Sequence, residues 1–270
     1  MKDFPIGLQL FSVREDMEAD FRGTLQKVKD MGYETVEFAG LYDNDPKEVK
    51  KMCEEIGINP ISAHVTYSLL VENPNLMDDY AMIGCKFIVI PYMDKDVLYD
   101  NERFKQFVKE VEMLGKKANE LGVTLAYHNH DFEFEKVDGE YVIDRIYKAL
   151  PADLLEAEFD TCWVNVGGEN PVDYIKNYAN RVTILHLKDF VGGQTANMYG
   201  LIGIDENEKK DTNGEFDFRP VGSGVQDFPA ILKAAKESGT KWVIVEQDLP
   251  SMGLTALECA KKSLDYLKNL

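Results

Sequence analysis

The sequence has no CxxC pair, and its four cysteines, Cys53, Cys85, Cys162 and Cys259, lie far apart. That spacing speaks against a zinc knuckle or a disulfide framework. It suits a reducing compartment, and the expected location is cytoplasmic. No apolar stretch reaches membrane-spanning length, and the start, Met1-Lys2-Asp3-Phe4-Pro5, lacks the apolar core of a signal peptide. Basic residues are few: 30 Lys and Arg stand against 48 Asp and Glu, for a formal net charge of −18. Such a surface repels phosphate backbones and anionic lipid, so no nucleic acid and no membrane is expected as a partner. The first strand-like run is not followed by GxGxxG, which weakens the case for a doubly wound nucleotide-binding sheet. A GxSxG elbow is also missing, so a hydrolase triad has little support.

What the chain does have is rhythm. Its 270 residues suit a (β/α)₈ barrel, which typically takes about 250, and a 44% hydrophobic content allows a sizeable core. Strand-like runs at 5–11, 33–38, 60–64, 86–91, 123–128, 155–160, 182–187 and 242–246 alternate with helical patterns. The helical patterns lie near 16–31, 45–56, 73–83, 101–121, 141–150, 170–178, 228–238 and 253–269. Within 101–121, Phe104, Phe107, Val108, Val111 and Leu114 recur mostly at three- and four-residue steps. Gly57, Gly122 and Gly239 stand where a helix needs a left-handed stop. Eight such units without a linker predict one α/β domain over 1–270, a TIM barrel. The stretch 190–224 breaks the rhythm. It is polar and Gly-rich, with Gly192, Gly193, Gly200, Gly203 and Gly214, and it carries Tyr199, Phe216, Phe218 and Arg219. Its length predicts a lid over a substrate or, alternatively, a contact in a homo-oligomer.

All four histidines, His64, His128, His130 and His186, sit where a short apolar run ends. Carboxylates end two further runs, at Glu158 with Asp160 and at Glu246. In a parallel barrel those ends converge on one mouth. Side chains alternate along a strand, so His128 and His130 share a face, as do Glu158 and Asp160, and His186 and Lys188. Imidazoles plus carboxylates make a mixed nitrogen–oxygen set suited to one divalent ion, Mn²⁺, Zn²⁺ or Co²⁺. Plainer roles exist for the same residues: Asp160 as a helix cap, and Glu246 as half of an ion pair with Lys188. Gly222-Ser223-Gly224 could cradle a phosphate on its amides or form a plain turn. Substrate contacts are expected from His64, from Gln9 and Glu37 on the first two strand candidates, from Trp163, and from Arg219 reaching in off the long loop.

The segments Ile6-Gly7-Leu8-Gln9-Leu10-Phe11-Ser12-Val13-Arg14, Tyr127-His128-Asn129-His130-Asp131-Phe132-Glu133-Phe134, Phe159-Asp160-Thr161-Cys162-Trp163, His186-Leu187-Lys188-Asp189 and Pro220-Val221-Gly222-Ser223-Gly224 resemble the xylose isomerase-like TIM-barrel superfamily. The nearest branch is the sugar phosphate isomerase/epimerase group with its inosose dehydratase-like relatives. The resemblance implies one divalent metal at the mouth, with ligands ending the fifth to eighth strands. Asp160, His186 and Glu246 match three of them, and the fifth-strand Glu is replaced here by His128. His130 stays open as the alternative at that position.

The resemblance implies a sugar isomerase or epimerase acting on a small sugar or polyol. A proton next to a carbonyl is removed, giving an enediolate that the metal stabilises. Glu246 is the expected base, Glu158 the next candidate, and Lys188 or His130 the acid or oxyanion partner. With His128 in place of a glutamate, a lyase acting on a keto-inositol or a 3-keto-glycoside fits at least as well. An endonuclease IV-like repair enzyme would need more histidines and a basic groove, and a non-catalytic sugar-binding barrel completes the alternatives.

Overall fold

Eight short runs pair side by side, all parallel, and close on themselves. They are β1 (Ile6–Gln9), β2 (Thr35–Ala39), β3 (Asn59–His64), β4 (Phe87–Ile90), β5 (Thr124–His128), β6 (Glu156–Asp160), β7 (Ile184–Leu187) and β8 (Trp242–Val245). Each strand neighbours the next in sequence, and β8 closes on β1. This is the TIM barrel that the alternating pattern predicts. The computed structural model describes residues 4–193 and 216–270. The expectation for Tyr199, Gly200, Gly203 and Gly214 therefore lies outside the described residues. Among the described residues, no helix is long and apolar enough to cross a membrane.

The helices begin and end where local chemistry dictates. Asp45 caps Pro46–Ile56 through Lys47 N–H, with proline in the first turn, and Gly57 ends that helix at φ 71°. Asp100 caps Asn101–Leu121, which Gly122 ends at φ 71°. A side chain at either glycine would strain the left-handed stop. The pattern read as one helix over 16–31 is instead two, Arg14–Ala19 and Phe21–Met31. Asp20 divides them by leaving helical geometry and accepting a bond from Gly23 N–H.

Strand alternation splits the core into two layers. Leu8, Val36, Phe38, Ile88, Leu125, Phe159, Leu185 and Val243 face the helices. Ile61, Phe87, Val89, Ala126, Ile184 and Ile244 form a separate apolar cluster with Trp242 packed against it. Along their strands, Ala126, Ile184 and Ile244 share a face with His128, His186 and Glu246, so this cluster fills the barrel interior beneath those residues. Gly7 makes room there. A Cβ on it would lie 2.5 Å from Ile244 Cδ1 and 2.7 Å from Thr35 Oγ1. Gly7→Val is expected to destabilise the fold by about 1–3 kcal/mol through overpacking. Urea unfolding reads this directly, and an unchanged midpoint would mean that the interior relaxes around the added methyls.

The long connection after β7 is not structureless at its ends. Asp189–Gly192 and Phe216–Arg219 form an antiparallel ribbon. Phe190, Phe216 and Phe218 are buried with Cys162, Trp163 and Val166. Phe216 and Phe218, expected to cover a sugar or meet a neighbouring subunit, are only 2% and 1% exposed and pack inside their own chain. The possible phosphate cradle is also filled from within. Asp189 accepts bonds from Gly222, Gly224 and Gln226 N–H at 3.0, 2.8 and 3.2 Å. The turn thus holds a carboxylate of its own chain.

Candidate metal and acid–base site

The register sets the site. Asp160 pairs with His186 across β6 and β7, and His128 with Glu158 across β5 and β6. Glu246 follows the last residue of β8, and its N–H still reaches Leu187 O at 3.2 Å. His128, Asp160, His186 and Glu246 each offer one ligand atom, and these atoms all lie within 4.8 Å of one another. All four residues are buried. A second group, His64, His128, Glu158 and His186, meets the same limit and shares two members with the first. His130 belongs to neither.

Asp160 does two things at once. Oδ1 caps Thr161–Val166 by accepting from Cys162 and Trp163 N–H. Oδ2 faces inward, 3.0 Å from Lys188 Nζ and 3.8 Å from His128 Nε2. Asn129 steadies this corner by accepting the Asp160 N–H at 3.0 Å. Lys188 Nζ also lies 2.9 Å from Glu246 Oε2 and 2.9 Å from Asp248 Oδ2. The helix cap and the ion pair therefore coexist with the ligand arrangement.

Deeper in, Glu158 Oε2 meets His64 Nε2 at 2.8 Å, His128 Nδ1 at 3.2 Å and His186 Nε2 at 3.2 Å. Glu37 Oε1 meets His186 Nε2 at 2.7 Å and Gln9 Nε2 at 2.7 Å. Gln9 and Glu37 are fully buried, and their polar atoms are engaged with protein groups. At these two expected substrate contacts the polar atoms are bonded to neighbouring side chains and to the Phe11 N–H. Arg219 is likewise turned away. Its guanidinium bonds Asp217 and Phe218 O, while Phe218 on the other ribbon face approaches Lys188. Trp163 does lie at the site, with His130 5.5 Å away ring to ring and Lys188 Nζ 5.2 Å over its face.

Charge explains the protonation pattern. Burial alone would lower His64 and His186, but neighbouring glutamates outweigh it. Glu37 and Glu158 hold His64 up at about 10, and His186 is also raised well above its usual value. Burial and His186 push His128 well down, and burial with Lys188 takes His130 down to about 3. Burial opposes the charge on Glu246, but Lys188 and His186 overcome it and lower its carboxyl. Burial raises Glu158 and Asp160, and lifts Asp248 to about 6.

This chemistry fits a divalent ion. The carboxylates of Glu37, Glu158, Asp160, Glu246 and Asp248 gather around Lys188 and the imidazoles of His64, His128 and His186, which offers a cation several oxygen donors. Glu158 Oε1 is also buried and has no hydrogen-bond partner among the described residues. Two imidazoles and two carboxylates form a borderline donor set of the kind that takes zinc and its neighbours. His130 Nδ1 and Trp163 Nε1 are likewise buried without partners among the described residues.

Asp248 and Asn129 carry no role among the expected site residues, although alternation puts Asp248 on the face of Glu246 if the strand runs that far. Asn129 gave no signal, since its role depends on the neighbouring strand.

The sequence profile of the xylose isomerase-like TIM barrel matches residues 25–270. An inosose dehydratase of Lacticaseibacillus casei is 27% identical over 281 positions, covering 93% of this chain and 89% of that protein. A sugar phosphate isomerase/epimerase of Parabacteroides distasonis superposes with a TM-score of 0.79 at 25% identity, covering 99% of this chain and 94% of that one. The IOLI protein, solved with a bound zinc atom, shares the fold with a TM-score of 0.72 at 18% identity, covering 98% of this chain and 97% of that one.

Proposed function

The chain belongs to the xylose isomerase-like TIM-barrel family, and from that premise we propose that it removes a proton beside the carbonyl of a sugar-like ketone and expels a neighbouring hydroxyl. The observation that carries this reading is a base and an acid on one side of the site: Glu246 Oε2 and Lys188 Nζ are 2.9 Å apart. A divalent ion held by His128, Asp160, His186 and Glu246, such as Mn²⁺, Zn²⁺ or Co²⁺, would supply Lewis-acid polarisation of the carbonyl.

Glu246 takes the carbon-bound proton. The electron pair moves toward the carbonyl and returns as the carbon–oxygen bond to the β-hydroxyl breaks. Lys188 delivers a proton to that oxygen, which leaves as water. Glu246 then passes its proton to Lys188, so the pair is restored and the net change is the loss of one water. His130, kept neutral, and Trp163 offer the substrate their unpartnered Nδ1 and Nε1. Burial of Trp163, Phe132 and Phe218 keeps the surroundings dry, which strengthens each of these contacts.

Similarity over nearly full length to inosose dehydratase supports a cyclic polyol ketone as substrate. The Parabacteroides structure favours a second reading, sugar isomerisation. There the same carboxylate would return its proton to the adjacent carbon from the same face. Two-base epimerisation fits less well. It needs a base on each face of the carbon, and His128 at the fifth-strand position turns Nδ1 to Glu158.

Mass spectrometry in deuterated solvent tests the proposal. Metal-loaded protein is incubated separately with a keto-inositol and with a ketohexose. Loss of one water from the keto-inositol is expected. Deuterium uptake into the ketohexose without loss of water, beside an unchanged keto-inositol, would make the protein an isomerase.

A further inference from the structure

Glu37, His64 and Glu158 flank the imidazoles of the proposed ligands. They form a bridge: His64 Nε2 is 3.0 Å from Glu37 Oε1 and 2.8 Å from Glu158 Oε2. Both carboxylates also reach imidazoles of the ligand set, Glu37 that of His186 and Glu158 those of His128 and His186. Glu37 Oε1 is 2.7 Å from His186 Nε2, and Glu158 Oε2 is 3.2 Å from His128 Nδ1. The other nitrogen of each ring faces a proposed ligand oxygen. His186 Nδ1 is 3.1 Å from Glu246 Oε2, and His128 Nε2 is 3.8 Å from Asp160 Oδ2.

A neutral imidazole has one N–H and one lone pair, and only the lone pair binds a metal. An ionised carboxylate can only accept, and each ring has carboxylate oxygen on both sides, so the ion selects the tautomer. With an ion among the four proposed ligands, the lone pairs turn to it and the protons stay on Nε2 of His186, toward Glu37, and on Nδ1 of His128, toward Glu158. Glu37 is itself held fast, by Gln9 Nε2 at 2.7 Å and by the Ser62 hydroxyl.

We infer that Glu37 and Glu158, joined through His64, are positioning residues that lock His186 and His128 in opposite tautomers and leave His186 Nδ1 and His128 Nε2 as the ligand atoms. This inference rests on the metal reading proposed above. It moves Glu37 and His64 from substrate contact, and Glu158 from proton transfer, to the orientation of ligands. Carboxylate partners of metal-bound histidines raise ligand basicity and fix ring orientation. The inner group of His64, His128, Glu158 and His186 is not a second site in this arrangement. Filling both groups at once would take both nitrogens of two imidazoles, and each neutral ring has one lone pair.

The test uses full-length protein with Zn²⁺ and Co²⁺. Zinc affinity is measured by competition with a chromophoric chelator for wild type, Glu37→Gln and Glu158→Gln, with His186→Ala as the control that loses a ligand. Co²⁺ absorption reports ligand geometry, and thermal unfolding of the metal-free variants reports folding. Nitrogen NMR of ¹⁵N-histidine-labelled wild type with Zn²⁺ identifies the bound atoms without any substitution. One ion per chain is expected, bound through His186 Nδ1 and His128 Nε2. Each glutamine variant should bind zinc about 10–100-fold more weakly and show an altered cobalt spectrum. An unchanged Kd and spectrum in both variants would overturn the bridge. So would ligation through the opposite nitrogens, or two ions per chain. Wild type that binds no ion would instead remove the metal reading itself, and this inference with it. Should a variant fail to fold, the wild-type nitrogen assignment decides.

Discussion

Glu246→Gln is expected to lower kcat by about 10²–10⁴-fold, the usual contribution of a positioned proton-transfer group. Glutamine keeps the shape and one coordinating oxygen, but it cannot accept the substrate proton. It also removes the charge that Lys188 Nζ and His186 Nδ1 meet at 2.9 and 3.1 Å. The decisive measurement is solvent deuterium wash-in at the substrate carbon, followed together with metal content. Exchange should stop while part of the metal is retained. Exchange at the wild-type rate would hand the role to another residue. Glu158 is the next candidate: its Oε2 is ringed by three imidazole nitrogens, but its Oε1 has no hydrogen-bond partner among the described residues.

Lys188→Met should destabilise the metal-free protein by about 3–5 kcal/mol, as happens when one partner of a buried charged cluster is removed. That is a large share of the roughly 5–15 kcal/mol by which folded domains are stable. Methionine fills similar space between Trp163 and Phe218 but leaves the Asp160, Glu246 and Asp248 oxygens without the ammonium that now lies 2.9–3.0 Å away. Denaturant unfolding with and without Zn²⁺ reads the effect. The ion should restore more stability to the variant than it adds to wild type, since it returns positive charge to the same oxygens. A variant as stable as wild type without metal would show that these carboxylates are neutral in the fold.

Much of this was legible because barrels translate local pattern into position. Gly57 and Gly122 end their helices at the positions that the helix–Gly–strand phrases mark. Polar residues ending apolar runs, such as His128, Asp160, His186 and Glu246, gather at one mouth because all eight strands are parallel. Partners were not legible. Alternation tells which face Glu37 and Gln9 occupy, but not that Glu37 is taken up by Gln9, Ser62, His64 and His186. That depends on how neighbouring strands are staggered, which no single strand encodes. The partners of Arg219 were hidden for a related reason. Its ribbon alternates too, and the register places Phe218 rather than Arg219 on the side of Lys188. For Gly222-Ser223-Gly224 the pattern left a phosphate cradle or a plain turn open, and Asp189, distant in sequence, takes the Gly222 and Gly224 amides.

The apolar cluster of Ile61, Phe87, Val89, Ala126, Ile184 and Ile244 makes the barrel a dead end. Traffic to and from the acid–base pair has a single doorway, at the carboxyl ends of the strands. In the proposed dehydration, the expelled water and the unsaturated product would leave through the opening that admitted the ketone, one after the other. The small molecule has to clear, or be trapped beneath, before the larger one can go. An incoming substrate meets whatever has stayed behind. In kinetic terms, the proposed reaction in such a vessel would be inhibited by its own product in direct competition with substrate.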